Sequence, residues 1–169
     1  MRKQLTVWCA VLLLTAALCG GCTRHRVHRE LCADFKAAFS ADYRGMQLAG
    51  TMLCTRQGDC HLAFSQPQTL GGLALRYQNN TLRISRENAL CTADEGYLPE
   101  GSFPETVRRV MKGVAQGRAK PVAGSEAAVY RLSDAALSCE ITADDDGMIQ
   151  TVAVKNEKLT LRLRGAEKL

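Results

Sequence analysis

Apolar residues recur at every second position through most of this chain, and that alternation restricts it to sheet with one oily face. From position 34, Phe35, Ala37, Phe39, Ala41 and Tyr43 fall on one side, with Asp34, Lys36, Ser40 and Asp42 on the other. A helix competes at this point, because Phe35, Phe39 and Tyr43 are also spaced for one helical face. The continuation decides for strand. Arg44-Gly45 turns the chain into Met46, Leu48, Gly50, Met52 and Cys54, and Arg56-Gln57-Gly58 reverses it into Cys60, Leu62 and Phe64. Pro67 ends that strand because proline cannot donate to a ladder. Leu73, Leu75 and Tyr77 make a fourth strand, which turns at Asn79-Asn80, residues that tolerate the positive φ of a tight hairpin, into Leu82 and Ile84. Further strands are expected over 127–132, 135–142, 148–155 and 158–164, with turns at Ser133-Asp134, at Asp144 to Gly147 and at Asn156-Glu157.

One helix interrupts this series. Ser102-Phe103-Pro104-Glu105 has the form of a capping box with proline in the first turn. Val107, Val110, Met111 and Val114 then recur at helical spacing, with Glu105, Arg108, Arg109 and Lys112 expected on the solvent side. Gly117 and Pro121 stop it, so the helix is expected from Ser102 to Gln116.

About nine strands against one amphipathic helix leaves a large apolar face to cover, since sheets commonly have four to six strands. Phe35, Phe39, Tyr43, Leu48, Met52, Leu62, Phe64, Leu75, Tyr77, Ile84 and Leu161 point to that face, and the helix offers Val107 and Met111, helped by Tyr97, Leu98 and Phe103. Three arrangements satisfy the pattern: a sheet curled until it covers itself, a sheet that holds an apolar ligand, or a sheet that meets a partner.

The first part of the chain carries a different message. Arg2 and Lys3 precede an apolar run, Ala10 to Leu18, that ends at Cys19-Gly20-Gly21-Cys22. Basic start, short apolar core and small residues are the parts of a secretory signal, and the core is too short to span a bilayer. A cysteine directly after Gly20-Gly21 resembles the bacterial lipobox, in which Cys22 is acylated and becomes the mature N-terminus; Cys19 departs from that motif, and an ordinary cleaved signal is the alternative. The expected organisation is a signal over 1–21, a basic tether over 22–31 carrying Arg24, Arg26 and Arg29, and one folded domain over 32–169. Such a chain is expected at the extracytoplasmic face of a cell membrane, held by its acyl anchor, as a monomer. Three arginines beside an anchor would add attraction to anionic headgroups; a solvated linker is the other reading of the same residues.

Little in the remaining composition points to chemistry. A formal charge of +5, part of which leaves with Arg2 and Lys3, and basic residues that alternate with acids argue against a nucleic-acid partner. Of eight cysteines, Cys32, Cys54, Cys60, Cys91 and Cys139 follow Cys22. Cys54 and Cys60 flank the Gln57 turn symmetrically, which suits either a disulfide or two small buried thiols. Cys22, His25, His28 and Cys32 have spacings that zinc could use, but an acylated Cys22 has no thiolate to give, so no metal is expected. His61 is a lone histidine on the polar sheet face without a nucleophile motif, and the Asp144 to Gly147 turn lacks the distal glutamate of a calcium loop. Neither an enzyme nor a cofactor is expected.

Phe64-Ser65-Gln66-Pro67-Gln68-Thr69-Leu70-Gly71-Gly72-Leu73, then Arg76-Tyr77 before a hairpin, then Tyr97-Leu98-Pro99 before a single helix and a closing series of strands, resembles the LolA-like family of bacterial envelope lipoproteins, the lipoprotein-localisation-factor-like proteins. The resemblance implies a mainly β (α+β) fold: a strongly curved open antiparallel sheet, or half-barrel, whose concave face is covered by the helix. It also implies an acyl chain or another apolar ligand on that face. A structural or sensory lipoprotein that uses the same face for a protein partner is the alternative function.

Overall fold

The computed structural model of the protein describes residues 29–124, 128–134 and 137–169. The signal, Cys22, His25, His28 and most of the basic tether therefore lie outside the described residues.

Eleven antiparallel strands form one open sheet, in the order β6-β5-β4-β3-β2-β1-β11-β10-β9-β8-β7. The strands are β1 (Phe35–Tyr43), β2 (Met46–Cys54), β3 (Cys60–Gln66), β4 (Leu73–Gln78), β5 (Thr81–Arg86), β6 (Ala89–Asp94), β7 (Lys120–Pro121), β8 (Ala128–Ser133), β9 (Ser138–Ala143), β10 (Ile149–Val154) and β11 (Leu159–Lys168). The helix, α1 (Phe103–Ala115), lies between β6 and β7 in sequence. Each half of the sheet is thus a run of hairpins, the halves meet where β1 pairs with β11, and α1 carries the chain from one free edge to the other.

The expected strands are present, and two more appear at the edges. β6 escapes sequence reading because an edge strand buries neither face firmly: Ala89, Leu90, Cys91, Thr92 and Asp94 are all exposed, so nothing imposes an alternation. β7 is two residues long and contains Pro121, a residue a sheet accepts at its edge, where the missing N–H costs no ladder bond. Burial in β1 alternates as expected for a strand and not a helix, with Phe35, Ala37, Phe39 and Ala41 buried.

Irregular register occurs between Lys36 and Ala38, between Ala49 and Gly50, and between Ile149 and Thr151. An extra residue in one strand raises the local twist and bends it, which is how a sheet curves over a single helix. At the second of these sites Gly50 allows a close approach: a Cβ there would lie 2.0 Å from the Ala63 carbonyl oxygen and 2.9 Å from the Phe39 ring.

Candidate functional site

The concave face is built by inward positions of nearly every strand. Phe35, Phe39, Leu48, Met52, Leu62, Phe64, Leu75, Tyr77 and Leu161 are all buried, as are Val107 and Met111 from α1; Tyr43 and Ile84 are half-buried. These residues belong to one continuous core. Phe103, the first residue of α1, enters a nest of aromatic rings, with centroids 5.8 Å from Phe39, 5.9 Å from Tyr43 and 5.9 Å from Phe64. Phe39 and Phe64 meet edge to face at 5.8 Å, a geometry that ring quadrupoles favour. Among the described residues, side chains of the helix and the sheet pack directly against each other.

Tyr97 does not share in this cover. It is 63% exposed, because the turn after β6 carries it outward, while Leu98 is half-buried and Phe103 performs the sealing. The loop is held instead by Tyr43, whose hydroxyl donates to the Gly101 carbonyl, and by Arg44, which reaches Gly101 and Glu157.

The polar stripe of α1 departs most from expectation. Glu105 and Arg108 are buried between helix and sheet instead of facing water. Arg108 donates to both Glu105 oxygens, at 2.8 Å through Nε and 2.6 Å through its terminal nitrogen, and donates also to Glu95 from the loop after β6. Lys112 joins Glu95 at 3.1 Å. The guanidinium carbon stands 5.4 Å from the Tyr77 ring centre. Its hydrogen bond to Glu105 raises the Arg108 pKa further. Burial, and next the Glu105 charge, push the Tyr77 phenol well above its ordinary value, and its hydroxyl has no hydrogen-bond partner among the described residues.

The capping box does not close. Ser102 makes no side-chain cap bond, and its Oγ is buried without a partner among the described residues. The reciprocal half is absent as well, since the Glu105 carboxylate is engaged by Arg108 and the Ser102 N–H donates to the Pro99 carbonyl at 3.1 Å. At the other flank Arg109 bonds Asp134 at 3.2 Å, with Arg118 at 3.7 Å. Gly113 lets the helix settle on β8, where a Cβ would come 2.3 Å from the Leu132 side chain.

Cys54 and Cys60 face each other across the β2–β3 hairpin as thiols, with sulfur atoms 3.8 Å apart. The hydrogen bond to Cys60, then burial, raises the Cys54 pKa, and burial pushes Cys139 up to about 11. Cys91 is exposed. Thiolate is the reactive form, so a thiol reagent at mild alkaline pH is expected to label Cys91 first and leave Cys54, Cys60 and Cys139 unmodified until the protein unfolds; mass mapping of timed samples checks the order.

Among the described residues no group of three or more metal-ligating side chains occurs, and no helix is long and apolar enough to cross a membrane. His61 sits half-buried on the convex face. The Asp144 carboxylate accepts from the Asp146 and Met148 backbone, so it serves the turn that the sequence indicates.

Glu95 and the inward turn of Glu105 and Arg108 were not legible as parts of this site. Their spacing, three residues apart, signals an ion pair but not which side of the helix it occupies.

No family model matches the chain, and no curated protein matches it. Among solved structures, a LolA superfamily protein from Nitrosomonas europaea is 10% identical, with a TM-score of 0.39 over 80% of this chain and 84% of that one. PNGF-II is 9% identical, with a TM-score of 0.38 over 80% of this chain and 28% of that one. Both likenesses are too loose to carry an argument. An uncharacterized conserved protein from Thermus thermophilus is 13% identical, with a TM-score of 0.51 over 85% of this chain and 83% of that one, and with it the chain shares a fold.

Proposed function

We propose that this protein is a non-catalytic, membrane-tethered lipoprotein of the extracytoplasmic face that takes an acyl chain, from a lipid or from another lipoprotein, between its concave sheet face and α1. The observation that carries the reading is that the one α-helix among the described residues joins two unpaired sheet edges and packs on an apolar face built by nearly all the strands. A closed barrel would have no such seam. The helix is held at its flanks by ion pairs to Glu95 and Asp134, whose side chains are partly exposed, so water can replace these partners when the helix moves. Its inner face presents Val107, Val110, Met111 and Val114, which suit methylene chains as well as they suit the sheet. The sequence resemblance to LolA-like lipoproteins supports the same ligand class, and Cys22 is the residue that would carry the anchor.

Because the described side chains of α1 and the sheet pack against each other, a ligand on this face is expected to displace α1. Organic extraction of the purified, detergent-free protein, with native mass spectrometry before and after, is expected to recover an acyl-bearing species in a stoichiometric complex. Recovery of no such species from protein purified out of its own membrane would overturn the carrier reading and favour a structural or sensory lipoprotein that offers this face to a protein.

A further inference from the structure

The convex side carries a feature that acyl-chain binding does not use. His61 on β3 stands directly opposite Arg76 on β4, and Arg76 stands directly opposite Arg83 on β5. Opposed side chains on adjacent antiparallel strands hold their Cβ atoms about 5 Å apart, and like charges so placed destabilise the sheet. Two other cations of the sheet have an acid in register, Lys36 opposite Glu167 and Arg131 opposite Glu140, although Arg131 also opposes Lys120 at the short edge strand β7. Arg76 and Arg83 form no ion pair among the described residues.

The surface around them is hollowed. An open concavity of about 370 Å³ has Ala74 and Ser85 between His61, Arg76 and Arg83, with Leu90 at the edge-strand end. A second, of about 120 Å³, runs from Arg76 and Arg83 to Gln78, Asn79 and Thr81. A third, of about 240 Å³, joins Arg76 and His61 to Thr55, whose buried hydroxyl has no hydrogen-bond partner among the described residues; Asp59 lines it too. Arg76 therefore lies where three hollows meet, and the first of them is lined by both guanidinium side chains and the His61 imidazole together. Paired guanidinium groups match the geometry of phosphate oxygens.

We propose that Arg76 and Arg83, with His61, form a binding site for a phosphate group on the convex face, carried by a phospholipid headgroup or by a free phosphate. An anion between the two guanidinium groups removes the like-charge repulsion of the empty row. His61 supplies an internal reporter. Burial, and next the Arg76 charge, hold its pKa below the ordinary histidine value. The charges that face it are Arg76 on β4, Arg83 one strand beyond and Asp59 at the start of β3, while Leu53 on β2 contributes none. A bound phosphate must therefore move the His61 titration upward.

The test uses the full chain held in neutral dodecyl maltoside micelles, with His61 ring signals assigned by comparison with H61Q. Inorganic phosphate and dihexanoyl-phosphatidylglycerol are titrated separately. Saturable shifts of the His61 signals and an upward move of its titration are expected. Arg76→Gln and Arg83→Gln should each weaken binding by about tenfold or more, and Arg76→Lys should restore part of it, with the thermal melting of the ligand-free protein not lowered. Tighter binding of the phosphatidylglycerol by about tenfold assigns the site to a headgroup, and equal binding assigns it to free phosphate. Absence of any saturable shift with either probe would overturn the site, as would an Arg162→Gln change that weakens binding as much as Arg76→Gln.

Discussion

Replacing Gly50 by alanine is expected to cost about 3 kcal/mol of folding stability or more, the upper range for forcing atoms into a packed interior. A Cβ at this position falls 2.0 Å from the Ala63 carbonyl oxygen, and that oxygen belongs to the adjacent strand's backbone. No rotamer change relieves such a contact. The second clash, with Phe39 at 2.9 Å, involves a side chain, so Phe39→Leu should relieve only the smaller part of the loss. Gly96 makes a control, because a Cβ there has nothing within 4 Å and its φ is not in the left-handed region; Gly96→Ala should stay within about 0.5 kcal/mol of the parent. Chemical denaturation of the three variants checks the order. If Gly50→Ala folded with the stability of Gly96→Ala, the close approach of β2 to β3 would be wrong, and with it the bend beside Gly50.

The second large effect concerns the ion pair under α1. Removing one partner of a buried pair leaves the other charge without compensation, at a cost of about 3 to 5 kcal/mol. Arg108→Met is expected to show that loss, because Glu105 is 6% exposed and has Arg108 on both its oxygens. Replacing both, with Arg108→Met and Glu105→Leu, should recover most of it, since apolar side chains of similar size suit the same space and Glu95 keeps Lys112 as its partner. Equilibrium unfolding of the single and double variants measures this directly. A double variant as unstable as Arg108→Met alone would show that the helix needs the charges themselves, and not merely their mutual satisfaction.

These two sites also show where sequence reading succeeds and where it stops. Alternation in β1, from Phe35 to Ala41, and in the later strands is enforced by burial of one face, so the strands and the extent of α1 were legible. β6 and β7 bury too little to be marked. Neither the gap at Gly50 nor the burial of Glu105 and Arg108 leaves a local signal. Both arise from how closely separate strands, or helix and sheet, approach each other, and periodicity carries no information about that distance. The same reason explains the candidate site: its apolar residues were readable one by one, but that they pack directly against one another on the concave face, under a helix spanning two sheet edges, follows only from the three-dimensional curvature.

An acyl chain lying between α1 and the concave face is the centre of the proposed function. The most direct measurement is a set of nuclear Overhauser contacts between the chain methylenes of a bound fatty-acyl ligand and assigned methyl groups of the full-length protein. Contacts to Val107, Met111, Leu62 and Met52 are predicted, accompanied by loss of the contacts between Phe103 and Phe39. Contacts confined to the convex face or to the N-terminal segment, with the Phe103 packing unchanged, would contradict it.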